Sequence, residues 1–188
     1  FLTIMQRLIV DILFLLSFLF YCRHSLSMLI VILILDAPAD EFHAKNSVAP
    51  SCTSMIKIIV DTGSIDRTVE IVSNYTSQVY SYRWKDDFSD ARNYSFSKAS
   101  MDYCMWMDAD DVLEETEKDE FLRLKQSLPP DTDIVMMKYN TAFDEAGKPS
   151  FSYFRERWIR NCGRYRWIGA VHEVIPPNGK AYNNSLRR

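Results

Sequence analysis

The residues best suited to chemistry are carboxylates at the ends of apolar runs. Asp108-Ala109-Asp110-Asp111 follows Tyr103–Met107 (YCMWM) and puts three acids into one turn. Crowded carboxylates repel one another, and a hard divalent cation relieves that repulsion. Mg²⁺ or Mn²⁺ takes one or two such carboxylates and completes its shell with substrate phosphate oxygens. The plainer alternative is a solvated acidic turn that caps the next helix, a task that suits Asp111. Asp61-Thr62-Gly63-Ser64, with Asp66 two residues on, ends a second run, Ile56–Val60 (IKIIV). Asp61 can accept from a base N–H or a ribose hydroxyl, and Gly63 allows close backbone approach. A turn and a helix N-cap account for Gly63, Ser64 and Asp66, but less well for Asp61.

Three further groups are candidates. Arg92, in Phe88-x-x-Ala91-Arg92-Asn93, offers a planar fork for phosphate oxygens. Helical spacing puts it on a different face from Phe88 and Phe96 and near Asp87 or Asp90, so a surface ion pair is the simpler reading. His172-Glu173, after Trp167 and Gly169, offers a metal ligand and a general base. Neighbours on a strand point to opposite faces, so both serve one site only if the segment is irregular. Residues 151–167 interleave five arginines with six aromatics around one acid, Glu156. That pattern suits single-stranded nucleic acid. On a strand it equally puts aromatics inward and arginines outward, or makes a local anion-binding face.

The elements around these groups follow a regular pattern from residue 55 onward. Ile56–Val60, Val79–Trp84, Tyr103–Met107 and Ile134–Tyr139 read as strands. Thr68–Tyr75, with Val69, Ile71 and Val72 inward, Asp87–Ala99 and Glu117–Leu128 read as helices, the last with Phe121, Leu124 and Leu128 on one stripe and Pro129-Pro130 as its stop. Asp144–Pro149 reads as a hairpin loop leading to a strand over 151–159, and 171–175 as a final extended segment. Strands alternating with helices predict an α/β sheet, mostly parallel and covered by helices. Ligands of such sheets bind beyond the carboxyl ends of the strands, where Asp61 and Asp108–Asp111 both fall.

Composition narrows the class. A net charge of -3 argues against a nucleic-acid-binding role, and 47% hydrophobic with 25% charged residues excludes a largely disordered chain. Cys22, Cys52, Cys104 and Cys162 lack ligand spacing, so buried thiols in a reducing, cytoplasmic compartment are expected rather than zinc or disulfides. Residues 1–54 differ from the rest. All five glycines come later, residues 8–22 form an apolar run broken by Asp11, and 28–35 (MLIVILIL) form a second. The first run falls short of the ~20 residues of a membrane span. A peripheral membrane contact, buried elements and a stretch foreign to the domain are the three readings of this segment. We take 1–54 as an atypical N-terminal segment, with 28–35 as a candidate first strand, and 55–188 as the domain.

IIVDTGSIDRTVEIV, DDFSDARNYSFSKAS, YCMWMDADDVL and WIGAVHEVI, in this order over about 55–175, resemble family 2 glycosyltransferases of the GT-A fold. The resemblance implies a Rossmann-like, mostly parallel sheet with a small antiparallel C-terminal portion. It implies inverting transfer of a hexosyl-type sugar from a UDP- or GDP-sugar to an acceptor hydroxyl, assisted by Mn²⁺ or Mg²⁺. On this basis Asp61, Gly63, Ser64, Arg92, Asp108 and Ala109 meet the donor, and Asp110 and His172 the metal. Glu173 is the base, with Asp111 in reserve. The segment after the first strand departs from the family: DAPADEF stands where an acidic N-E-E-like stretch is usual. An impaired or purely nucleotide-binding domain is therefore one alternative. Another is a haloacid dehalogenase-like phosphatase, since MWMDADDV also matches that family's motif with Asp108 as nucleophile.

Overall fold

In a computed structural model, residues 29–35, 55–108, 111 and 117–184 are described. They form one seven-stranded sheet, β1 (Leu29–Leu35), β2 (Met55–Asp61), β3 (Val79–Ser81), β4 (Tyr103–Asp108), β5 (Ile134–Phe143), β6 (Pro149–Arg160) and β7 (Ala181–Asn184), in the order β3-β2-β1-β4-β6-β5-β7. Three helices accompany it: α1 (Thr68–Val72), α2 (Phe88–Phe96) and α3 (Lys118–Ser127).

The mixed α/β class is as expected, but the pairing is less parallel than the strand–helix alternation predicts. Only β2–β3 and β5–β7 pair in parallel. The candidate strand at 28–35 is present, as β1, and runs antiparallel to both β2 and β4. β6 is antiparallel to β4 and β5. β2 and β4, each antiparallel to β1, therefore share one direction, and their carboxyl ends share one rim. Leu29 stands opposite Asp61 and Ile30 opposite Asp108. Two strand spacings separate the two aspartates' backbones, roughly 10 Å.

β2 and β4 are buried on both faces because helices or loops cover both. Ile58, Ile59 and Val60 are wholly buried. On one face Ile59, Met105, Met107, Val135 and Trp158 pack with Val72 of α1 and Phe121, Leu124 and Leu128 of α3. On the other, Ile58, Val60, Cys104, Trp106 and Ile159 pack with Ala91 of α2 and with Tyr165, Trp167 and Ile175. The amphipathic stripe read into α3 is the buried one. α1 is shorter than expected: Val72 is buried, but Val69 is exposed and Ile71 half-buried. Neither Ser64 nor Asp66 is its N-cap residue; Arg67 holds that position without a side-chain capping bond, while Asp66 Oδ1 accepts from Thr68 N at 2.9 Å.

Asp87 caps α2, its extended backbone letting Oδ1 accept from Asp90 N at 3.0 Å. The β5–β6 hairpin turns where expected, with Asp144 Oδ1 accepting from Ala146 N and Lys148 N and Gly147 at φ +74. The alternation expected along β6 does not hold. Phe151, Tyr153 and Phe154 are exposed, whereas Arg157 is buried. At Arg157 the reason is a bulge: Val135 pairs with Trp158 but Met136 pairs with Glu156, so Arg157 is an extra residue. The extended segment expected at 171–175 is instead a turn, closed by one bridge between Ile168 and Val174. Gly169 at φ +103 and His172 at φ +57 bend it back, and the last strand forms at 181–184.

Candidate functional site

Arg92 stands at the centre of the site. It projects from α2 into the sheet face formed by Trp106 of β4 and by Trp167, and is only 4% exposed. Its guanidinium lies 4.7 Å from the Trp106 ring and 4.9 Å from the Trp167 ring. Nη2 donates to Asp108 Oδ1 at 2.6 Å and Nε to Glu173 Oε1 at 2.6 Å. Nη1 is buried and has no hydrogen-bond partner among the described residues. The expected surface ion pair with Asp87 or Asp90 is therefore overturned. Two indole faces provide a slot that accepts a delocalised cation, and two carboxylates compensate its charge.

Asn93, next along α2, fixes the segment that carries Glu173. Its Nδ2 donates to Trp167 O and its Oδ1 accepts from Trp167 N, each at 2.9 Å. Phe88 N donates to Ala170 O at 3.0 Å. The chain then turns at Gly169 and His172, which brings Glu173 back onto Arg92. A Cβ on Gly169 would meet Val171 O at 3.4 Å besides forcing an unfavourable φ. The irregularity needed for His172 and Glu173 to serve one site is present. However, the His172 side chain is exposed while Glu173 turns inward.

The acidic turn is held from β6. Asp111 N donates to Asp108 O at 3.1 Å, and Asp108 N to Asp111 Oδ2 at 2.9 Å. Arg157 Nη1 donates to Asp111 Oδ2 at 2.5 Å, and its guanidinium lies 4.0 Å from the Trp106 ring and 4.5 Å from the Tyr139 ring. Burial, chiefly, and the nearby Asp111 push the Tyr139 hydroxyl up to about 12, so it stays protonated at neutral pH. Asp111 is 6% exposed and engaged with Arg157, an arrangement that gives no support to its reserve role as base. Ala109 and Asp110 lie outside the described residues.

Two strands away, Asp61 is 5% exposed and folds its own loop. Oδ1 and Oδ2 accept from Ser64 N at 3.1 and 3.2 Å, Oδ2 from Gly63 N at 3.2 Å, and Oδ1 from the Ser64 hydroxyl. Gly63 has φ +124, which a side chain would resist. The capping reading thus accounts less well for this motif than an Asx-type turn built on Asp61.

The structure thus brings Arg92, Asp108 and Glu173 into direct contact, puts Asp61 on the same rim, and leaves His172 apart from them. Sequence reasoning missed Asn93, Trp106, Tyr139, Arg157 and Trp167. Asn93 and Trp167 sit inside motifs already singled out, which was a usable signal; nothing local marks Arg157, since a bulge depends on pairing with β5. Among the described residues, no group of three or more His, Cys, Asp or Glu could hold a metal ion. Among them, too, no helix is long and apolar enough to cross a membrane, and residues 8–22 lie outside them.

Residues 57–176 match the family model described as glycosyl transferase family 2, a span holding Asp61, Arg92, the 108–111 turn and Glu173. The chain belongs to glycosyl transferase family 2. As a member of that family it is 30% identical over 132 residues to a TPR repeat-containing protein of Synechococcus elongatus, covering 67% of this chain and 32% of that protein. It is 31% identical over 132 residues to the SPbeta prophage-derived glycosyltransferase SunS of Bacillus subtilis, covering 69% of this chain and 29% of SunS. The glycosyltransferase SunS of Bacillus phage SPbeta matches to the same extent. The chain spans about a third of the length of the curated relatives it matches. Family membership sets aside the phosphatase alternative.

Proposed function

We propose that this domain transfers a hexosyl-type sugar from a UDP- or GDP-sugar to an acceptor hydroxyl, with inversion. One observation carries the reading: a buried Arg92 ties Asp108 to Glu173 on the rim that also holds Asp61. Asp61, Gly63 and Ser64 form the turn offered to the nucleotide, and Asp108 and Ala109 approach its ribose and diphosphate. The donor chemistry fits Mn²⁺ or Mg²⁺, because Asp108 and Asp110 bring hard carboxylate oxygens and a diphosphate brings the remainder; His172 is the further candidate ligand. Bound there, such an ion neutralises the charge of the departing nucleoside diphosphate.

Arg92 adds a fixed positive charge in a slot that needs no reorganisation during reaction. Glu173 Oε1 is held by Arg92 Nε, and Oε2 is the carboxylate oxygen outside that bond. That oxygen takes the proton as the acceptor oxygen bonds the anomeric carbon and the bond to the diphosphate breaks. Isothermal titration with UDP and GDP, each with and without Mn²⁺, tests the reading. Binding of one of them, tightened by Mn²⁺, is expected. A folded sample that binds neither rejects it, and Mn²⁺-dependent binding without sugar transfer supports the nucleotide-binding alternative.

A further inference from the structure

We infer that Arg157 is the positioning residue of the acidic turn, acting on the donor site through Asp111 rather than by touching substrate. This rests on the donor-site reading above. Three observations converge on it. Arg157 is the extra residue of the β6 bulge, so its side chain leaves the ladder beside Trp106. It is 6% exposed and lies between the Trp106 and Tyr139 rings, its Nη1 also reaching Trp106 O at 3.3 Å. Among the described residues its carboxylate partner is Asp111 Oδ2, the same atom that accepts from Asp108 N.

The turn is thereby closed on itself at both ends, by Asp111 N to Asp108 O and by Asp108 N to Asp111 Oδ2. The second closure depends on where the Asp111 side chain is held. Ala109 and Asp110 are bracketed in sequence by these two pinned residues. A guanidinium suits the task because its flat faces stack on both rings while its edge holds the carboxylate. The Asp111–Arg157 pair fixes the Asp111 carboxylate against the Asp108 amide. Arg92 and Arg157 both lie against the Trp106 ring and divide the labour: Arg92 orients the Asp108 carboxylate and Arg157 orients its backbone.

Amide hydrogen exchange and nucleotide titration on Arg157→Gln test this. Exchange at Asp108 N–H is expected to quicken by about 10-fold or more as its acceptor is released. The amides of 103–107 should stay protected. The Mn²⁺-dependent gain in UDP or GDP affinity should fall about 10-fold, with metal-free affinity unchanged. Arg157→Lys should restore part of both. Should Arg157→Gln fail to fold because it strands a buried carboxylate, Arg157→Gln with Asp111→Asn removes that charge and is read in the same way. Unchanged exchange at Asp108 in a folded variant overturns the inference, as does a loss of nucleotide affinity that is equal with and without Mn²⁺. A parent chain that binds neither nucleotide rejects the functional reading, while the exchange result still decides the role of Arg157.

Discussion

Replacing Arg92 by Met tests the core of the site most directly. Met preserves much of the side chain's length and apolar contact but removes the charge between the Trp106 and Trp167 rings. The Arg92 side chain is 5% exposed, that of Glu173 11% and that of Asp108 36%. Asp108 can recover water, so its lost bond costs at most about 1 kcal/mol. Glu173 cannot rehydrate as readily, and orphaning a buried charge costs about 3–5 kcal/mol. The sum is dominated by Glu173 and amounts to about 3–6 kcal/mol. For a chain of this size each kcal/mol shifts the melting point by ~2–4 °C, so a fall of roughly 6–24 °C is expected in a calorimetric melt. Adding Glu173→Gln removes the stranded charge and should restore at least ~1–2 kcal/mol, a non-additivity measurable as a double-mutant cycle. A single variant that melts within about 2 °C of the parent would refute the reasoning. So would a double variant that melts lower than Arg92→Met.

Asn93→Ala loses both bonds to Trp167 and frees the segment carrying Glu173; about 1–3 kcal/mol of stability should go in urea unfolding, and kcat should fall more than KM rises. Cys104 is buried, which pushes its thiol up to about 12, whereas Cys162 is exposed; maleimide at pH 8 should label Cys162 within minutes and Cys104 only after denaturation, as peptide mapping would read. Gly179→Ala would drive a methyl group into the Tyr165 hydroxyl and to 2.7 Å from Asp133 Oδ2, and should cost about 1–3 kcal/mol in a thermal melt. Bonds from Asp90 N and the Ser89 hydroxyl hold Asp87 below the ordinary carboxylate value, and Lys85 and Tyr82 do the same for Asp90. Groups with a lowered folded value stabilise the fold above their unfolded pKa, near 3.9, and lose that contribution as pH falls through the folded value. Unfolding stability should therefore decline from about pH 5 downward, and Asp87→Asn should flatten the decline while keeping the cap.

The β-branched run of β2, the stripe of α3 and the Asp-x-Ala-Gly turn of the β5–β6 hairpin were legible in the sequence because their causes are local. Burial on both faces, a period of 3.6 and a side chain that hydrogen-bonds its own turn each act within a few residues. The acidic corners were legible for the same reason, since carboxylates that end apolar runs must reach the rim of a sheet. Family motifs likewise pointed to Arg92, Asp108 and Glu173 as candidates. Tertiary structure alone decided their surroundings. Helical spacing put Arg92 beside Asp87 and Asp90 because those are its sequence neighbours. Its true partners are 16 and 81 residues away, and those two carboxylates, with two indoles packed against α2, make burial of that charge tolerable. The direction of β1, the bulge at Arg157 and the reversal at Gly169 and His172 are also outcomes of pairing between distant segments. No single segment's sequence encodes them.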